Sequence, residues 1–107
     1  MTTNYRRGYA FEQRVRKYLE SCGFYVVRSA GSKGVADLVG FRLGSNEPPI
    51  FVQCKTDGVI SSAERQRFWE TSIDCSAVAY IASRNKRNEL VFSLLKNGVD
   101  LKEVRLN

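Results

Sequence analysis

Asp37, Gln53 and Lys55 are the residues whose types and spacing point to chemistry. They lie in the stretch "ADLVGFRLGSNEPPIFVQCK", residues 36–55. Its two apolar segments, "ADLVGFR" and "IFVQCK", read as strands. The polar "GSN" between them reads as a turn, and Pro48 and Pro49 keep it out of either strand. Side-chain alternation puts Phe51, Gln53 and Lys55 on one face of the second strand and Asp37, Val39 and Phe41 on one face of the first. In an antiparallel hairpin the midpoint between Asp37 and Gln53 is position 45, inside the turn. Asp37 then lies across from Gln53, on the face that carries Lys55, and a one-residue slip would send it to the other face. An Asp, a neighbouring acid and a Lys suit metal-assisted phosphodiester hydrolysis. Carboxylates hold a hard cation, the cation offsets charge on the phosphate, and the ammonium orients water or stabilises the pentacovalent phosphorus. Gln53 is neutral where that chemistry wants an acid. Spacing alone also admits a plain alternative, a surface Asp and Lys at the polar end of a strand.

The elements that would position these residues can be read along the chain. Phe11, Val15, Tyr18, Leu19 and Cys22 fall at helical spacing, and Gly23 stops the helix. "FYVVR" (residues 24–28) is a strand, and "SAGSKG" (residues 29–34) a loop. After Lys55, Ser61 and Glu64 form a capping box that opens a helix to about Ile73. "SAVAYIAS" and "ELVFSLL" are further strands around the basic turn "RNKRN". The tail "VDLKEVRL" is open between a short strand and one helical turn. The order αβββαββ makes an α/β domain with helices packed on a sheet. One domain over residues 1–107 is expected from the length. Adjacent Phe68 and Trp69 face different ways, Trp69 being read as core in preference to a dimer interface, and Cys54, opposite Gln53, should be buried and inert.

Composition narrows the function classes. There are 17 basic and 11 acidic residues, leaving +6, a balance that suits a polyanionic partner. The absence of histidine excludes His-dependent triads, HExxH zinc sites and Cys2His2 fingers. Cys22, Cys54 and Cys75 form no CxxC pair and are odd in number, as expected of reduced thiols in a cytoplasmic protein. No apolar run is long enough to span a membrane, and the N-terminal residues hold no secretory h-region, so a soluble protein is expected. Arg6, Arg7, Arg14 and Lys17 crowd the first helix, and Arg84, Lys86 and Arg87 the late turn. Either group could contact phosphates. Arg6 and Arg7, just upstream of Glu12, are assigned to DNA; for the late turn a solubilising surface is as good a reading.

The pattern D-x15-Q-x-K resembles the PD-(D/E)xK nuclease motif, with Ala36 in place of Pro and Gln53 in place of the acid. The longer stretch "RRGYAFEQRVRKYLESCGFYVVRSAGSKGVADLVG" resembles the N-terminal part of archaeal-type Holliday junction resolvases. The resemblance covers residues 6–55, with a fainter extension to "ERQ" in the second helix. It implies a restriction-endonuclease-like fold, a central mixed β-sheet flanked by helices. It implies a metal site built from Glu12, Asp37 and the residue at Gln53, with Mg²⁺ as cofactor and Mn²⁺ as an alternative. Lys55 matches the catalytic lysine. Arg28, Ser29, Ser32 and Lys33 match the loop that contacts the phosphate backbone, with the choice between the serines open. For Glu12 the residues also admit an exposed pair with Arg16, one helical turn on. Three readings of Gln53 stand: its carbonyl ligates, an acid such as Glu64 or Asp57 reaches in, or the site is silent.

The expected function is therefore a metal-dependent endonuclease acting on four-way DNA junctions as a homodimer, because a two-fold symmetric substrate calls for two sites. DNA shape rather than base identity would set specificity. The alternatives are a nuclease for flaps, nicks or ends on the same frame, and a silent DNA-binding module.

Overall fold

The computed structural model describes residues 3–29 and 35–106, with side chains from Gly8 onward. The chain forms α1 (Thr3–Ser21), β1 (Phe24–Arg28), β2 (Leu38–Arg42), β3 (Ile50–Cys54), α2 (Ser62–Asp74), β4 (Val78–Arg84), β5 (Leu90–Lys96) and β6 (Asp100–Val104). Among the described residues six strands make a single sheet whose spatial order equals chain order. All neighbours run antiparallel except β3 and β4, which are parallel and joined through α2. A parallel pair needs a crossover connection, and α2 is that crossover. The sixth strand resolves the tail: "DLKEV" pairs with β5, from Phe92 opposite Val104 to Lys96 opposite Asp100. Its exposed, charged residues show no strand-like apolar alternation, which is why the expected order αβββαββ lacked it. Edge strands carry charge because one side faces water.

The helices cover opposite faces. α1 presents Phe11, Val15 and Leu19, four residues apart, to a core with Phe24, Val26, Leu38, Ile50, Val52 and Phe92. Tyr18 stacks on Phe92 at 5.4 Å between ring centroids. α2 covers the other face, where fully buried Phe68 meets Ala36, Ala79, Ile81 and Leu95. The helix starts where expected. Ser61 is the N-cap and its hydroxyl accepts from the Glu64 backbone N–H at 3.1 Å. α1 ends at Gly23, whose φ of 94° is the left-handed conformation that glycine adopts without strain.

The β5–β6 turn is fitted to α2. Gly98 has φ 76°, and a Cβ there would meet the Trp69 indole at 2.9 Å. Trp69 is half-buried and packs against the core under α2. Gly98→Ala combines a disfavoured φ with a clash against a packed ring. It should cost about 1–3 kcal/mol of unfolding free energy in urea titration.

Candidate active site at the end of the central strands

The β2–β3 ladder pairs Leu38 with Val52, Val39 with Phe51 and Gly40 with Ile50. Extended by one residue, this register sets Asp37 across from Gln53, as the spacing predicts. The extension is hydrogen-bonded: Asp37 N–H donates to Val52 O at 2.9 Å. On its other side Asp37 O accepts from Ser29 N–H at 2.9 Å, so the backbone of Asp37 is held between β1 and β3. Its carboxylate Oδ2 accepts from Cys54 N–H at 2.7 Å. Two backbone bonds and one side-chain bond thus fix this carboxylate at the end of the sheet.

Glu12 reaches the same end from α1. Arg28 Nε donates to Glu12 Oε1 at 2.7 Å, and the guanidinium lies 4.9 Å over the Tyr9 ring. The Glu12–Arg16 pair does not form; Arg16 instead pairs with Glu20 at 3.2 Å. Arg28 can reach Glu12 because it shares the strand face of Phe24 and Val26, the face under α1. Burial pushes the Asp37 carboxyl above its ordinary value, and the Glu12 carboxylate pushes the same way. Cys54 N–H, Lys55 and Arg28 pull it down without cancelling the rise. Glu12, Lys55 and Arg28 are therefore all within electrostatic reach of Asp37.

Lys55 continues β3 with Gln53 on the α2 face. Its Nζ lies 3.1 Å from Glu64 Oε2 in the first turn of α2. This pairing holds the Glu64 carboxyl below its ordinary value. Gln53 spends its amide N–H on Val35 O, just after the loop. Cys54 is half-buried, rather than buried, against the α1-side core, and burial beside Asp37 and Glu12 pushes its thiol up, which disfavours the thiolate.

A cleft of about 730 Å³ opens here, lined by Glu12, Cys54 and Lys55 together with Arg14, Asp57, Arg84 and Asn88. Arg14 donates to Asn88 Oδ1 at 3.1 Å and to Asn88 O at 2.6 Å, clamping the β4–β5 turn onto α1. Sequence reasoning named Arg14 and Arg84 only as members of basic clusters. No spacing rule links positions 14 and 88, so their meeting at this rim was not legible. Asp57, offered as a stand-in acid, lines the cleft, but its carboxylate accepts from Val59 N–H at 3.0 Å in its own turn. Arg28 and Ser29 stand beside the site. Ser32 and Lys33 lie outside the described residues, as do the side chains of Arg6 and Arg7.

The donors suit a small hard cation. Two carboxylates, Glu12 and Asp37, raise the cost of charging one part-buried place, and a divalent ion relieves that. Among the described residues no three Asp, Glu, His or Cys side chains gather as a metal-holding group. Mg²⁺ asks for less, since it keeps several waters and takes one or two carboxylates.

The raised Asp37 value has a consequence for stability. Its charged form is disfavoured in the fold, so stability is full below the unfolded-state value and is lost as pH rises through the folded value. Asp37→Asn is neutral at every pH and still accepts from Cys54 N–H. In cation-free buffer it should melt higher than wild type at pH 7, with the gain shrinking as pH falls to the unfolded-state carboxyl value.

Comparison with known proteins agrees with this architecture. The family model described as archaeal Holliday junction resolvase (Hjc) matches residues 3–103. The crossover junction endodeoxyribonuclease Hjc of Methanocaldococcus jannaschii is 52% identical over 56 residues, which is 52% of this chain and 39% of that relative's length. The structure of Archaeoglobus fulgidus Hjc, described as a Holliday junction resolvase from an archaeal hyperthermophile, superposes with a TM-score of 0.67. That match has 22% sequence identity and covers 80% of this chain and 70% of the other, and it bears out the restriction-endonuclease-like α/β fold. With residues 3–103 matched, the chain belongs to the archaeal Holliday junction resolvase (Hjc) family.

Proposed function

We propose that this protein is a metal-dependent, structure-selective DNA endonuclease that resolves four-way junctions by paired phosphodiester hydrolysis. The observation that carries the reading is the convergence of Asp37, Glu12 and Lys55 at one end of the sheet, beside a cleft rimmed by Arg14 and Arg84. Family membership supports this substrate class.

Asp37 and Glu12 would hold Mg²⁺ or Mn²⁺, and the Gln53 carbonyl oxygen, left over once its N–H is spent on Val35, is the third candidate donor. When bound, the ion supplies Lewis acidity toward the phosphate and a more acidic water. The protein's own groups do the rest. Lys55 brings an ammonium to the phosphate and stabilises the extra negative charge of the pentacovalent state. Arg28, fixed between Glu12 and Tyr9, offers guanidinium N–H groups to the backbone at the start of the loop, next to Ser29. Ser32 and Lys33 extend that contact, and Arg6 and Arg7 hold the flanking duplex; these four assignments rest on the sequence. None of these contacts reads bases, so selectivity comes from junction shape.

The working form is a homodimer, and the cytoplasm is its compartment, in keeping with Cys22, Cys54 and Cys75 as free thiols. No helix among the described residues is long and apolar enough to cross a membrane. An apolar groove of about 310 Å³, lined by Trp69, Ile73, Val78 and Leu95, lies toward the far end of α2 from Lys55. A self-associating face there leaves the cleft open. Ile73 is 52% exposed, so Ile73→Glu should fold normally by circular dichroism. It should sediment as a monomer and turn paired cuts into isolated nicks.

A second reading, a silent junction-binding module, is favoured by one observation: the Gln53 amide is tied to Val35. The two separate on an immobile four-way junction and a matched linear duplex in Mg²⁺, then Mn²⁺. The enzyme reading expects symmetric junction nicks that chelation stops. It also expects Asp37→Asn to lose on the order of 10²-fold or more in rate while still binding the junction. Tight binding with no cuts in either metal, or equal cutting by wild type and Asp37→Asn, would sink it.

A further inference from the structure

We propose that Glu64, in the first turn of α2, takes over the part of the acid that position 53 lacks, as the residue that positions Lys55 for catalysis. The inference rests on the nuclease reading above and deepens it.

Gln53 is not available to Lys55 as an anion. Its amide N–H group bonds Val35 O, so the side chain braces the segment that leads into β2. Asp37 is within electrostatic reach of Lys55, but the carboxylate that hydrogen-bonds the ammonium comes from another element. The same cleft is lined by the cations Arg14 and Arg84. A lysine side chain also loses rotamer entropy when held in one place. Glu64 Oε2, 3.1 Å from Nζ, supplies the offset. The pair is partly screened, with side chains 29% and 37% exposed.

Glu64 is itself held. Its backbone N–H donates to Ser61 Oγ at 3.1 Å, and Ser61 Oγ donates to its Oε1 at 3.3 Å. One carboxylate oxygen thus faces the helix cap and the other faces Lys55. The backbone of Lys55 is equally fixed: its N–H donates to Ala82 O at 2.9 Å, and its O accepts from Gly58 N–H at 2.8 Å. Ammonium, carboxylate and cap hydroxyl form one chain from the end of β3 to the start of α2. A capping box by itself uses only the Ser61 side of Glu64; the bond to Lys55 is the additional feature.

The test compares wild type, Glu64→Gln, Gln53→Glu and the double variant. Glu64→Gln keeps an acceptor for the cap and removes only the charge. It should lower kcat for junction cleavage by on the order of 10- to 100-fold, the effect of a misplaced catalytic group. Junction affinity in cation-free buffer should stay unchanged. Adding Gln53→Glu should recover most of the lost rate. Independently of cleavage, relaxation of the Lys55 Cε methylene in the cation-free protein should show faster motion in Glu64→Gln. A Glu64→Gln variant that cleaves as well as or better than wild type overturns the proposal. So does a kcat loss without rescue, or Lys55 motion that does not change. Wild type that fails to cleave overturns the nuclease reading itself, whatever position 64 does.

Discussion

The core under α1 and the candidate site both depend on the antiparallel pairing of β2 with β3. With Leu38 opposite Val52, the next pair outward is Asp37 and Gln53. The Asp37 carboxylate then falls where the Cys54 N–H can donate to it. A slip of one residue would exchange the faces of β2: Asp37 would leave the site, and Leu38, which is fully buried, would leave the α1-side core. Core and site are set by one register. The pairing also ties in β1 through the Ser29 N–H bond to Asp37 O, so the strand carrying Arg28 ends beside the same carboxylate.

The two helices use this frame from opposite faces. α1 brings Glu12 and receives Arg28; α2 brings Glu64 and receives Lys55. Each acid from a helix thus meets a cation from a strand, at the end of the sheet where side chains from both faces can approach one another. Asp37 lies between these pairs and has no full counter-charge, since burial and Glu12 outweigh Lys55 and Arg28. Charge held at a cost to the apo fold is a common property of cation-binding and catalytic carboxylates. The arrangement supports the proposed cation site.

Gln53 puts a neutral side chain where the resemblance expects an acid. A neutral amide at the end of β3 cannot serve as the acid, but it can donate, and here it donates to the segment entering β2. That fixes the approach to Asp37 and leaves the anionic part to the neighbouring helix. The capping box at Ser61 is what gives α2 a carboxylate at that height. Local helix chemistry and site chemistry share one residue.

The sequence by itself determined the elements and the hairpin. Helical spacing from Phe11 to Cys22, the β-branched "FYVVR", the prolines before β3 and the Ser61–Glu64 box are short-range signals, and a midpoint at position 45 fixes a register. The family likeness over residues 6–55 singled out Glu12, Asp37 and Lys55. The tail stayed open because "DLKEV" is an exposed edge whose only strong partner is the β5 ladder. Tertiary structure alone decided which long polar side chains meet. Arg28 pairs with Glu12 rather than Arg16 doing so, Lys55 with Glu64, and Arg14 with Asn88. Periodicity assigns a side chain to a face of its own element. Which long side chains touch across the end of a sheet depends on how two helices are set on its two faces, and no local rule carries that.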